Sequence, residues 1–325
     1  MSRNESQIGE LFMLGLDNEQ LGLIKNFHDA FGLGGVILFA RNFESVHDIR
    51  ELISEVISLT SNDLIIAVDQ EGGGVVRISG SEFPVFPSAA SYGSRGDLKG
   101  AIHAAEVTAR CLLDLGINMN LAPVADVLTN PANDLMRTRC YSSDTAAVSD
   151  YVRAMVGAYN RSGVASCAKH FPGLGDSVID PHVRLAVSNR LEAFCSEKMY
   201  PPFRVAIEES CPAIMTTHLK VRSLDSDNPA TYSRSIVTEI LRNSLGFSGV
   251  ILTDDLDMGA IDDLDDAVPM ALTAGHDMVL ICHSFDKQIS CAERVQALVA
   301  SGELDGVVIE RKIERVRNLK QTFKN

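Results

Sequence analysis

The chain has 325 residues, 46% of them hydrophobic, which suffices for two small domains or one large α/β domain with a sizeable core. Its 29 basic and 43 acidic residues leave a formal charge of −14, and no dense basic run offsets it, so nucleic acid and anionic membrane are disfavoured as partners. No apolar run approaches the roughly 20 residues that span a bilayer, Met1 to Gln7 lacks the succession of a secretory signal, and seven cysteines without a Cys-x-x-Cys pair suit a reducing compartment, so a cytoplasmic protein is expected.

Short apolar runs recur along the chain with helical stretches between them: Leu11 to Leu16, Gly35 to Ala40, Leu64 to Asp69, Ile117 to Ala122, Ala165 to Phe171, Ala213 to His218, Val250 to Asp254 and Asp277 to Cys282. Runs of this length and polarity are those of parallel strands buried on both faces. Eight β-then-α units point to a closed (β/α)8 barrel, although a doubly wound open sheet gives the same local pattern. Ser235 to Arg242 has helical apolar spacing and ends near Gly246. Glu293 to Leu319 reads as one closing helix outside the sheet, followed by a frayed tail from Lys320 to Asn325. No linker or low-complexity tract divides the sequence, which is expected to be one domain over residues 1–325. Cys167 and Cys282, inside apolar runs, are expected to be buried free thiols.

Barrel enzymes carry their reactive groups where strands end, so the polar residues that finish these runs are the candidates for chemistry. Asp69 finishes the third, Lys169 and His170 the fifth, His218 the sixth and Asp254 the seventh. Leaving such groups buried without partners is costly, so their recurrence at strand ends indicates a site. The densest stretch is Lys169-His170-Phe171-Pro172-Gly173-Leu174-Gly175, followed by Asp176-Ser177-Val178-Ile179-Asp180-Pro181-His182. Its companion is Thr253-Asp254-Asp255-Leu256-Asp257-Met258. Because adjacent strand residues face opposite ways, only one of Asp254 and Asp255 is expected in the site, and Asp255 is read as a structural residue such as a cap for the next helix. The spacing excludes His-Glu-x-x-His zinc sites, phosphate loops and dinucleotide fingerprints; Gly72-Gly73-Gly74 is read as allowing a tight turn. No metal and no cofactor is expected.

The two segments together resemble the N-acetylhexosaminidase branch of the family 3 glycoside hydrolases, whose signature is Lys-His-(Phe/Ile)-Pro-Gly-(His/Leu)-Gly, four residues, then Asp-(Ser/Thr)-His. Every position matches except Pro181, which stands where the family carries Ser or Thr. The resemblance implies the barrel rather than the open sheet. It also implies a retaining exo-β-N-acetylglucosaminidase acting on short saccharides from cell wall or chitin, typically in peptidoglycan recycling. Asp254 then corresponds to the nucleophile and His182 to the general acid and base, with Asp180 orienting its ring. Asp69, Arg77, Arg139, Lys169 and His170 correspond to sugar-binding positions. Gly74 departs from the Arg usual there. His218 is expected to line the site; His28, His47, His103, His276 and His283 have no chemical context. Gly173 and Gly175 are expected to serve as hinges of the loop that carries the dyad. Two other functions fit the same residues: a phosphorylase, since imidazole does not repel an incoming phosphate, and a saccharide-binding barrel without turnover.

Overall fold

The computed structural model describes residues 5–80, 83–177, 179–181, 183–261 and 263–324. Among these residues ten strands form: β1 (Phe12–Gly15), β2 (Gly35–Leu38), β3 (Ile65–Val68), β4 (Met119–Asn120), β5 (Ala165–Phe171), β6 (Ala186–Ser188), β7 (Ala213–Thr216), β8 (Leu219–Val221), β9 (Val250–Asp255) and β10 (Met278–Ile281). Eight of them close a barrel in the order β1-β10-β9-β7-β5-β4-β3-β2, every pairing parallel, with helices outside. Closure is made by Phe12, Met13 and Leu14 pairing with Val279, Leu280 and Ile281.

The apolar runs have a simple origin in this architecture. Met13, Ile37, Ile65, Met119, Leu252 and Leu280 fill the barrel interior, while their strand neighbours Phe12, Val36, Ile66, Ile281 and Ile251 face the helices. Both faces are apolar, so the two-residue alternation of a strand is hidden in composition. All eight expected runs are barrel strands, six of them trimmed by two to four residues, while the bounds coincide at β5 and β9 runs one residue further, to Asp255. Cys167 and Cys282 are buried free thiols within the interior cluster.

Three expectations need correction. The closing helix is two helices, Phe285–Ser301 and Gly306–Gln321. Gly302 takes φ 80° at the end of the first, and Asp305 caps the second through the amides of Val307 and Val308. Nor does the tail fray at Lys320, because its ammonium is buried against the Glu10 carboxylate and the Leu33 carbonyl, 2.8 Å away. This last helix sends Val316 and Leu319 into the interior cluster and thereby stoppers the barrel at the end opposite the site. The strands β6 and β8 form a separate two-stranded parallel sheet that the apolar runs did not reveal. The Ser235 helix is present as Ser235–Ser244, with wide π-type hydrogen bonding.

Candidate active site

Two strands slip register as they reach the C-terminal mouth of the barrel. On β5, Lys169 pairs with Met215 but Phe171 with Thr216, so His170 is an extra residue. On β9, Leu252 pairs with Met278 but Asp255 with Leu280, which inserts another. A bulge re-aims side chains that strict alternation would separate. The pairs Lys169 with His170 and Asp254 with Asp255 therefore all face one cavity of about 530 Å³.

Asp69, Arg77, Arg139, Lys169, His170 and Asp254 line this cavity together. Lys169 Nζ lies 2.6 Å from Asp69 Oδ1 and 2.7 Å from Glu71 Oε1. Arg139 grips Glu71 with two bonds, Nε to Oε2 at 2.9 Å and Nη2 to Oε1 at 2.7 Å, and Arg77 Nη2 donates to Asp69 Oδ2 at 3.2 Å. Burial alone would raise the Glu71 carboxyl, but Lys169 and Arg139 outweigh it and hold it well below the usual carboxylate range. The Asp69 carboxyl is lowered in the same way by Lys169 and Arg77, and its charge and that of Glu71 raise the Lys169 ammonium against its own burial. The wall is thus a set of fixed charges with matched partners. Across from it, among the described residues, the Asp254 carboxylate accepts one hydrogen bond, from the Asp255 amide at 2.9 Å.

Glu71 and Asp126 are two members of the site that the sequence reading missed. Glu71 follows Asp69 by two residues, which would have marked it as sharing a face if the strand geometry continued. Asp126 comes six residues past the end of β4, beyond the reach of a strand-end rule; it is fully buried, and its Oδ2 lies 2.7 Å from His170 Nδ1.

Three expectations change here. Asp255 does not cap the next helix, Leu264–Ala274, which Asp263 caps. Its Oδ1 accepts the amides of Asp257 (3.1 Å) and Cys282 (3.2 Å), and its Oδ2 faces His283 Nε2 at 3.4 Å. Burial pushes its carboxyl up to about 7, against the Asp257 amide and with the Asp257 and Asp254 charges adding to the rise. His283, given no role from sequence, lines the cavity beside Phe39 and meets Arg41 Nη1 at 3.0 Å. His218 is not a lining residue: fully buried behind β9, it meets the Asp255 carbonyl through Nε2 at 2.8 Å and Thr231 through Nδ1 at 2.6 Å. His276 is buried with Nε2 2.8 Å from the Thr216 hydroxyl.

The loops are fitted to this mouth. Gln70 accepts the Arg77 and Ile78 amides and donates to the Ile78 carbonyl, closing the loop that delivers Glu71 and Arg77. Gly72 and Gly73 take φ 95° and 61° in its turn, whereas a Cβ on Gly74 meets nothing within 4 Å. Gly173 and Gly175 are packed rather than open hinges: a Cβ would stand 2.6 Å from the Met199 methyl at the first and 1.9 Å from the Val127 carbonyl oxygen at the second. Asp176 accepts from Ser188 (2.9 Å) and Arg190 (2.8 Å), tying the two ends of the next loop. Within it Pro181 lines the cavity and Asp180 is half-buried, with its carbonyl accepting the Val183 amide at 3.0 Å. His182 lies outside the described residues. Among the described residues no group of three or more His, Cys, Asp or Glu is arranged to hold a metal ion, and no helix is long and apolar enough to cross a membrane.

A parallel barrel with charged strand ends gathered at one mouth is the architecture in which barrel enzymes carry their active sites. Residues 5–319 match the glycosyl hydrolase family 3 N terminal domain, and the chain belongs to that family. It is 35% identical over 274 residues to beta-hexosaminidase A of Pseudoalteromonas piscicida, covering 77% of this chain and 46% of that protein. With the beta-hexosaminidase of Hydrogenovibrio crunogenus it shares 35% identity over 260 residues, 77% of this chain and 72% of the other. Among solved structures, the family 3 beta-N-acetylglucosaminidase of Paenibacillus sp. str. FPU-7 superposes with a TM-score of 0.94 at 30% identity, over 100% of this chain and 63% of that one. The beta-N-acetylhexosaminidase of Beutenbergia cavernae gives 0.90 at 27%, over 99% of each. The chain therefore spans less than half of the first of these relatives and under two thirds of the first structure.

Proposed function

We propose that this protein is a retaining exo-β-N-acetylglucosaminidase. The observation that carries the reading is the cavity itself, with the Asp254 carboxylate lightly bonded on one side and a preorganised wall of paired charges on the other. Asp69, Arg77, Arg139, Lys169 and His170 bind the hydroxyls of a terminal sugar and fix its anomeric carbon over Asp254. An Asp254 oxygen bonds to that carbon as the bond to the leaving oxygen breaks, and His182, oriented by Asp180, gives the leaving oxygen its proton. In the second step water attacks the glycosyl ester, His182 takes the water's proton, and the Asp254 carboxylate is restored. The names of the relatives support N-acetylglucosamine as the sugar. Short saccharides derived from cell wall or chitin, and a place in peptidoglycan recycling, belong to the same proposal through the family resemblance.

The test is turnover of 4-nitrophenyl N-acetyl-β-glucosaminide against the matching β-glucoside, with the first-formed anomer read by NMR. Selective release of β-N-acetylglucosamine is expected. An initial α product, or equal rates on the two glycosides, overturns the reading, and a sugar phosphate formed in phosphate buffer replaces hydrolysis with phosphorolysis.

A further inference from the structure

The charged wall is one continuous chain of donors and acceptors, and its last member never reaches the cavity. From the rim inward, Arg77 donates to Asp69, Lys169 bridges Asp69 and Glu71, and Arg139 donates to Glu71. The same Arg139 Nη2 lies 3.2 Å from His170 Nε2, and His170 Nδ1 lies 2.7 Å from Asp126 Oδ2. A guanidinium only donates, so Nε2 must accept, and the ring proton must then sit on Nδ1, where the Asp126 carboxylate receives it. Asp126 is itself held by the amides of His170 (3.1 Å to Oδ2) and Leu174 (2.5 Å to Oδ1), and it is fully buried.

We propose that Asp126 is a positioning residue: it holds His170 in its Nδ1–H form, so that Nε2 accepts from Arg139 and leaves that guanidinium seated on Glu71. With the proton on Nε2, an N–H would oppose the Arg139 N–H across 3.2 Å. Arg139 is the two-bond partner of Glu71, and Glu71 shares Lys169 with Asp69, so the disturbance passes to each sugar-binding side chain in turn. The effect on sugar binding rests on the function proposed above; the tautomer does not.

Nitrogen-15 NMR of histidine-labelled protein reads the ring directly, with His170→Gln identifying the His170 signals. The unmodified protein is expected to show protonated Nδ1 and bare Nε2, and Asp126→Asn to move the proton wholly or partly to Nε2. In kinetics with the aryl N-acetyl-β-glucosaminide, Asp126→Asn should raise KM about tenfold and change kcat by less than about threefold. Adding it to His170→Ala should cost nothing further, because both act through one ring. The proposal is overturned if unmodified His170 carries its proton on Nε2, if folded Asp126→Asn keeps the Nδ1–H form, or if the two substitutions are additive. Should Asp126→Asn fail to fold, Asp126→Ser, with a smaller acceptor, takes its place, and the spectrum of the unmodified protein still decides the tautomer. If the unmodified protein turns over no N-acetylglucosaminide, the functional reading fails while the tautomer is judged on the spectra alone.

Discussion

At the scale of residues, Asp254 and Asp255 are neighbours with different surroundings, and their substitutions should separate. Asp254→Ala should lower kcat by about a thousandfold or more while N-acetylglucosamine binding, followed by calorimetry, stays within about threefold, since an attacking carboxylate gains most of its interaction in the transition state. If Asp255→Ala is the inactive variant and Asp254→Ala turns over, the assignment is reversed. Asp255 should announce itself through pH instead. Its carboxyl is raised to about 7, so the folded state holds a proton that the unfolded chain releases near its ordinary value. The stability this lends is complete below about pH 4 and is lost as pH rises toward 7, a loss on the order of 4 kcal/mol. Relative to the native protein, Asp255→Asn should therefore gain in urea-unfolding free energy between pH 4.5 and 7.5. An identical difference at both pH values would refute this.

At the scale of elements, the barrel strands were legible because burial on both faces makes each one a plain apolar run, and the site because charge at the end of such a run has no packing explanation. The bulges were not. Strict alternation assigned Asp254 and Asp255 to opposite faces, and only the slip against β10 brings both into the cavity. Asp126 and His283 escaped for a related reason, since their importance comes from contacts with His170 and Asp255, 44 and 28 residues away. The break at Gly302 was written in the sequence, but charge periodicity on both sides of it masked the stop. The loop after β3 offers a test of backbone constraint at single-residue resolution. Gly72→Ala forces a side chain to φ 95° with its Cβ 2.8 Å from the Pro87 carbonyl oxygen, and should cost about 2 kcal/mol in unfolding free energy and loosen Glu71. Gly74→Ala enters open space and should stay within about 0.5 kcal/mol of the parent. Equal losses at both positions would mean that the turn adapts.

At the scale of the whole molecule, the segment before β1 and the last helix are locked together. Lys320 is buried with Glu10 beneath the barrel, and burial lowers its ammonium despite the Glu10 charge. Glu10→Gln strands that cation and should cost about 3 kcal/mol, while Lys320→Met keeps the packed stem without the charge and should cost less. Thermal or urea unfolding of the two variants decides it, and a costlier Lys320→Met would show that the ion pair itself is the stabilising element. Acid should find another weak point nearby. Burial lowers the His276 imidazole to about 3, so its contribution is complete above about pH 6.5 and is lost as pH falls toward 3. Replacing His276 by Gln should flatten the fall in unfolding free energy across that interval, and an unchanged slope would exonerate it.

The small sheet of β6 and β8 has a consequence for how this protein can change over generations. Ala186, Val187 and Ser188 are matched one to one with Leu219, Lys220 and Val221, and Ser188 and Arg190 are fastened to Asp176. An inserted or deleted residue between Ser188 and Arg190 must therefore break either the strand pairing or the Asp176 tie. The described residues 179–181 lie outside both fastenings, so variation in length is cheapest beside Pro181, which borders the cavity mouth. Among descendants of this chain, new substrate preferences should arise by trading loop length at that place while the frame on either side stays countable residue for residue.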